Sequence, residues 1–169
     1  MDNRRLIIVI LLGTVAFVST GFLPSPFDKM LIVFQALTFA LGSLVTSKGG
    51  ATYVSLINGA LLTVQRIEFF PLSIVFSLLY GVMIDFSFYA FKVRAKNNVS
   101  GTRLIAALTI VTAITGLAST FVTTLMGLMP MIPVLYFAIL AIGVLNGVVA
   151  GYLALIIWKR FLIQLQSSG

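Results

Sequence analysis

Six long apolar runs constrain this chain more than any motif in it. They cover roughly residues 6–22, 30–46, 51–65, 71–91, 104–127 and 134–158. A helix needs about 20 apolar residues to cross the roughly 30 Å hydrocarbon core of a bilayer. With 60% hydrophobic residues, 9% charged residues and a mean hydropathy of +1.14, a water-soluble domain of 169 residues has no room to bury this apolar surface. We therefore predict an all-α integral membrane protein, a compact single domain of six transmembrane helices.

Proline and glycine separate the runs. Leu23-Pro-Ser-Pro-Phe27 and Met129-Pro-Met-Ile-Pro133 break the chain twice each, because proline cannot donate a backbone hydrogen bond to a helix. Lys48-Gly49-Gly50 predicts a tight turn, and Pro71 suits the first turn of the fourth helix. The most polar loop lies between the fourth and fifth runs, at residues 92–103.

The distribution of Lys and Arg predicts the orientation. With a cytoplasmic N-terminus, nine of the 11 basic residues fall on the inner side of six spans and only Lys29 and Arg66 fall outside. Cytoplasmic loops of membrane proteins carry such an excess. We expect a multi-pass protein of the cell membrane with both termini in the cytoplasm. The first run is read as a retained span, since it lacks a small-residue cleavage site.

Composition excludes several function classes. The chain has no Cys and no His, which removes thiolate and imidazole metal sites and catalysis by either residue. It has no phosphate-binding Gly-rich motif and no recognisable catalytic constellation, so we expect neither an enzyme nor a cofactor. The net charge of +7 resides at predicted helix ends rather than in a patch interleaved with aromatic residues, and nucleic-acid binding is not expected.

Polar residues within the apolar runs are the candidate site. Amides, a carboxylate and two tyrosines fall in the middle or the outer half of the bundle, where a pocket open to the outside would lie. The candidates for substrate binding are Gln35, Asn58, Gln65, Glu68, Tyr80 and Tyr136. Four of them have an alternative reading: Asn58 as a hydrogen bond between helices, Glu68 as half of a solvated pair with Arg66, and the two tyrosines as interface anchors.

Two further features have structural readings. Asp85 lies about two turns inside the inner boundary, and Lys48 is its natural ion-pair partner, although coupling or proton movement stays open. Gly143, Gly147 and Gly151 repeat at four-residue spacing, which permits close helix packing either within the bundle or on a partner protein.

The topology resembles the substrate-binding S components of energy-coupling factor (ECF) vitamin transporters. The resemblance rests on an arrangement of six short spans without a nucleotide site. It also rests on three short sequence motifs: Gly49-Gly50-Ala51-Thr52-Tyr53, Asn58-Gly59 and Phe69-Phe70-Pro71. The resemblance implies a subunit that captures a vitamin or vitamin precursor, such as a thiamine-related one, at the outer face. It also implies a transmembrane scaffold subunit and two ATPase subunits as partners, and the segment 23–27 as a lid. The family often has Ala-x-x-x-Ala in its first span, where this chain has Ala16-x-x-x-Thr20.

A second hypothesis belongs to another class. A small structural or assembly subunit of a larger membrane complex, without a ligand, would also need a glycine-rich packing face. The departure at Thr20 and the row of glycines in the last span favour it.

Overall fold

The computed structural model describes residues 3–21, 32–46, 49–65, 71–95, 98–127 and 130–162. Within these ranges there are six α-helices. They are α1 (Asn3–Gly21), α2 (Ile32–Val45), α3 (Gly50–Gln65), α4 (Leu72–Ala90), α5 (Gly101–Leu125) and α6 (Pro133–Ile157), the last of which continues as a π-helical turn, Trp158–Leu162. The helix bounds differ from the predicted ones by at most three residues, and the helical fold class is confirmed.

Local sequence explains several helix ends. Gly49 has a φ of +71°, a backbone conformation that glycine adopts without the strain a side chain brings, and α3 begins immediately after it. Pro133 occupies the first turn of α6, where its missing N–H has no partner to lose. Between α4 and α5 the polar loop forms a small antiparallel hairpin of β1 (Arg94–Ala95) and β2 (Asn98–Val99), in which Arg94 pairs with Val99.

The helices form a closed ring in the order α1, α3, α4, α5, α6, α2, and α2 also contacts α3. Most of α2 is buried from Ala36 to Gly42, so α2 lies inside the bundle. Gly13 of α1 faces Val54 and Ile57 of α3, and Gly21 faces Gln65, so these two helices run in the same direction.

The remaining helices alternate in direction. Gly81 of α4 faces Ser55 of α3, and Gly59 faces Ser77, which makes these helices antiparallel. Gly42 near the end of α2 faces Gly50 at the start of α3, and Gly143 and Gly151 of α6 face Ala113 and Ile105 of α5 in antiparallel order. An antiparallel hairpin also reverses the chain between α4 and α5. The start of α1, α3 and α5 therefore lies at the same end of the bundle as the end of α2, α4 and α6.

Four helices are long and apolar enough to cross a membrane: α1, α4, α5 and α6 with its extension to Phe161. The surface supports the same reading, since large apolar side chains such as Val134 and Phe137 are each 74% exposed. The chain is thus a helical membrane protein. In their described extents, α2 with 14 residues and α3 with 16 residues measure roughly 21 and 24 Å, less than the roughly 30 Å of a hydrocarbon core.

Seven described basic residues cluster at one end of the bundle, which we call the basic end. They lie at or beside the start of α1 and α5 and the end of α4 and α6: Arg4, Arg5, Lys92, Arg94, Arg103, Lys159 and Arg160. Within the described ranges, no Lys or Arg lies at the opposite end, where α2, α4 and α6 begin.

The row of glycines in α6 packs inside the protein. A Cβ on Gly147 would lie 2.5 Å from Thr109 Cα, one on Gly151 would lie 2.8 Å from Ile105 Cα, and one on Gly143 would lie 3.1 Å from Ala113 Cα. The three glycines thus let the backbones of α5 and α6 approach closely. Of the two readings that the sequence left open, packing within the bundle accounts for this face.

Candidate functional site

A cavity of about 260 Å³ lies between α2, α3, α4, α5 and α6. Ligand pockets typically measure roughly 300–1,000 Å³, so this cavity has the size for a small molecule or a ring with few substituents. Its lining residues are Ile32, Gln35, Leu62, Ser73, Phe76, Ser77, Tyr80, Thr112, Thr115, Gly116, Ser119, Ile139, Ile142, Gly143 and Asn146.

The position of the cavity along the bundle follows from the helix directions. Ile32 and Gln35 lie at the start of α2, Leu62 near the end of α3, and Ser73 near the start of α4. The cavity therefore lies toward the end of the bundle opposite the basic end.

The chemistry of the lining is mixed but, among the described residues, uncharged. Apolar side chains such as Phe76 and Ile139 form much of the wall, and amides and hydroxyls interrupt it. Apolar walls with a few placed polar groups are typical of small-molecule sites, because burial supplies affinity and the polar groups fix orientation.

Two of the predicted substrate-binding residues line the cavity. Gln35 brings an amide from the first turn of α2, and Tyr80 brings a ring and hydroxyl from the middle of α4. The Tyr80 side chain is 4% exposed and its ring packs against that of the fully buried Phe39, with ring centroids 5.4 Å apart. This contact holds the Tyr80 ring in place, and its hydroxyl reaches Thr112 Oγ1 at 3.0 Å.

Asn58 does not line the cavity but is hydrogen-bonded to Ser77, which does. Its Nδ2 donates to Ser77 Oγ at 3.0 Å, and Ser77 in turn donates to the backbone carbonyl of Ser55 at 2.8 Å. Asn58 is fully buried, and within the described chain its Oδ1 has no hydrogen-bond partner. Asn58 thus ties α3 to α4 and supports a cavity residue rather than lining the cavity.

The structure places the other candidates elsewhere. Gln65 Nε2 donates to the backbone carbonyl of Gly21 at 2.9 Å and so ties the end of α3 to the end of α1. Tyr136 is half-buried in the first turn of α6 and is not among the lining residues. Its hydroxyl is buried without a partner among the described residues. Glu68 and the proposed lid at 23–27 lie outside the described residues.

Several lining residues were not among the sequence candidates. The largest group lies on α5 and comprises Thr112, Thr115 and Ser119. Their spacing of three and four residues showed a common face, and this face looks onto the cavity. Asn146 of α6 is also in the lining.

Asp85 has a structural partner that the sequence did not suggest. Its Oδ1 accepts from the backbone N–H of Ala51 at 3.2 Å, and its Oδ2 accepts from the backbone N–H and the hydroxyl of Thr52 at 2.8 and 2.7 Å. Asp85 on α4 thus caps the start of α3, where unpaired N–H groups and the helix dipole favour a carboxylate. Its predicted partner, Lys48, lies outside the described residues.

Comparisons with known proteins return no match: no family model fits the chain, and no curated protein and no solved structure is detectably similar to it. Function is therefore inferred from the cavity and its surroundings.

Proposed function

We propose that this protein is the substrate-binding membrane subunit of an ECF-type importer, capturing a small vitamin or vitamin precursor. The observation that carries the proposal is the cavity of about 260 Å³, which five helices line with amides, hydroxyls and aromatic rings. Concave sites between the helices of a bundle, with apolar walls and a few placed polar groups, are where small molecules usually bind.

The position of the cavity fits uptake from outside. Basic residues near membrane spans favour the cytoplasm, so the basic end is assigned to the inside and the cavity to the outer half of the bundle. In this arrangement all six helices cross or enter the membrane of the cell. The short α2 is accommodated because residues 36–42 in its middle are buried against the other helices.

The absence of cysteine offers a direct test of this orientation. Single cysteines placed at Asn3, which is exposed at the basic end, and at Met131, which is 69% exposed between α5 and α6, would be the only thiols in the chain. In intact cells, a membrane-impermeant maleimide should label Met131→Cys, and it should label Asn3→Cys only after permeabilisation. Labelling of Asn3→Cys in intact cells would contradict the orientation.

The energy for uptake would come from partner subunits. The sequence holds no nucleotide-binding motif, so the proposed complex includes a transmembrane scaffold and two ATPase subunits. The rival hypothesis of a structural subunit loses one of its supports, because the glycine row is engaged with α5.

A variant that fills the cavity tests the proposed function. Gly116 lines the cavity, and a Cβ there meets only Ile139 at 3.5 Å, an ordinary contact distance. Gly116→Leu should therefore fold and occupy the space meant for the substrate. We expect the purified wild-type protein to carry a small molecule, detectable by mass spectrometry of the denatured extract, and Gly116→Leu to retain less than about a tenth of it.

The matched control is Ala141→Leu, which adds a similar side chain at an exposed position of α6 outside the cavity. It should retain the small molecule at the wild-type level. Equal retention by both variants, or a wild-type protein that carries nothing after expression in rich medium, would contradict a binding function for this cavity.

A further inference from the structure

The hydroxyl protons around the cavity can be assigned from the contacts of Thr112. Its Oγ1 lies 2.7 Å from the backbone carbonyl oxygen of Leu108 and 3.0 Å from the Tyr80 hydroxyl oxygen. A carbonyl oxygen has no proton, so the single proton of Thr112 must lie on the bond to Leu108. Tyr80 is then the donor to Thr112. Both protons are used inside the wall, and the Tyr80 oxygen has only lone pairs left for the cavity.

The same reasoning applies to Ser77. Its contact with the Ser55 carbonyl oxygen at 2.8 Å requires the Ser77 proton, and its contact with Asn58 at 3.0 Å must then be donated by the Asn58 amide nitrogen. This fixes the orientation of the Asn58 amide, because the reverse orientation would set two lone pairs against each other. Ser77 therefore has no proton left for the cavity, and its oxygen can only accept a hydrogen bond from an occupant.

The two remaining hydroxyls of α5 follow this pattern. Ser119 donates to the backbone carbonyl of Gly116 at 3.0 Å, and Thr115 donates to the sulfur of Met83 at 3.7 Å. The amides of Gln35 and Asn146 and the hydroxyl of Ser73 each carry both donors and acceptors, so they leave the excess of acceptors among the other five hydroxyls unchanged.

We infer that the cavity takes a small molecule rich in N–H or O–H donors, an inference that rests on the proposed function. Five hydroxyl groups of the lining already donate their protons to other protein atoms. An occupant without donors would therefore place its own lone pairs against the lone pairs of these hydroxyl oxygens. Phe76 and Tyr80 give a ring-shaped occupant aromatic surfaces to contact.

Isosteric pairs of probes test this inference. In 2-aminopyrimidine and 2-methylpyrimidine an NH₂ group is exchanged for CH₃, and in benzene-1,3-diol and 1,3-difluorobenzene the OH groups are exchanged for F. Binding to the protein in lipid nanodiscs would be measured by saturation-transfer NMR, and the signal from the cavity-filled Gly116→Leu protein would be subtracted to remove partition into lipid. Sites that pair substrate donors discriminate strongly against analogues that lack them. We expect the donor member of each pair to bind at least about tenfold more tightly.

A pair of variants on α5 checks that the proton assignment is the cause. Thr112→Val removes the acceptor for the Tyr80 proton, which frees that proton to point into the cavity, and should reduce the preference for donors at least about threefold. Thr109→Val is the matched control, since the Thr109 hydroxyl donates to the backbone carbonyl of Ile105 on the same helix and does not line the cavity. It should leave the preference unchanged.

The outcomes separate this inference from the proposed function. If the methyl and fluoro probes bind as well as their partners, or Thr112→Val behaves like Thr109→Val, the donor-rich class is overturned and a binding function survives. If none of the four probes gives a signal that depends on the cavity, the inference is overturned as well. The proposed function then falls only if the wild-type protein also carries no small molecule after purification.

Discussion

Asp85→Ala should destabilise the protein by about 3 kcal/mol, because it removes three hydrogen bonds to a carboxylate at the start of α3. The backbone N–H groups of Ala51 and Thr52 would lose their acceptor, and Ala51 is fully buried, so water is a poor replacement there. The measurement is the free energy of unfolding in mixed micelles as the fraction of denaturing detergent rises.

Two variants separate capping from charge. Asp85→Asn keeps one oxygen acceptor and should cost about 1 kcal/mol, while Thr52→Val removes only the hydroxyl donor and should cost a similar amount. If Asp85→Ala unfolds at the same detergent fraction as the wild type, the carboxylate does not hold α3 against α4. In that case the assignment of Asp85 as a structural cap is wrong.

Gly147→Leu should be the most destabilising change in α6, costing about 3 kcal/mol or more. A Cβ at this position would lie 2.5 Å from Thr109 Cα and 3.0 Å from the Leu108 carbonyl oxygen, and backbone atoms cannot rotate away as a side chain can. The two helices would have to separate, which would also disturb the cavity wall that α5 and α6 share. The same detergent unfolding measurement gives the cost.

Substitutions at neighbouring positions of α6 provide a comparison for the stability cost at Gly147. Gly143→Ala places a Cβ 3.1 Å from Ala113 Cα and should cost less than Gly147→Ala, in keeping with the closer approach at Gly147. Val148→Leu enlarges a residue that is 42% exposed and should change stability by no more than about 0.5 kcal/mol. If Gly147→Leu and Val148→Leu have equal stability, the glycine row does not set the spacing of α5 and α6.

Hydropathy, together with the prolines and glycines between the apolar runs, predicted the helices well because both signals act locally. An apolar run of sufficient length and a proline or glycine at its end leave little choice of helix bounds, as at Gly49 and Pro133. The polar stripes of the helices were equally visible. Gln35 and Tyr80 face the cavity that their position suggested.

The partner of each polar group was much harder to predict, since it depends on the rotation and register of neighbouring helices. Asp85 was expected to meet a cation, but the antiparallel register of α3 and α4 brings it to the N–H groups of Ala51 and Thr52. Asn58 and Ser77 were both recognisable as polar residues in apolar helices. Only the structure shows that Ser77 lines the cavity and that Asn58 is hydrogen-bonded to Ser77 behind it. Thr112 and Ser119 of α5 donate to carbonyls of their own helix, so sequence spacing alone could not distinguish packing from lining.

An experimental structure of the purified protein in lipid tests the proposed binding cavity most directly. We expect density for a bound small molecule between α4, α5 and α6, within hydrogen-bonding distance of the Tyr80 and Ser77 oxygens, and no such density in Gly116→Leu. A bundle in which α5 has closed onto α4 and α2 and left no space beside Tyr80 would contradict it, as would a cavity occupied only by a lipid chain.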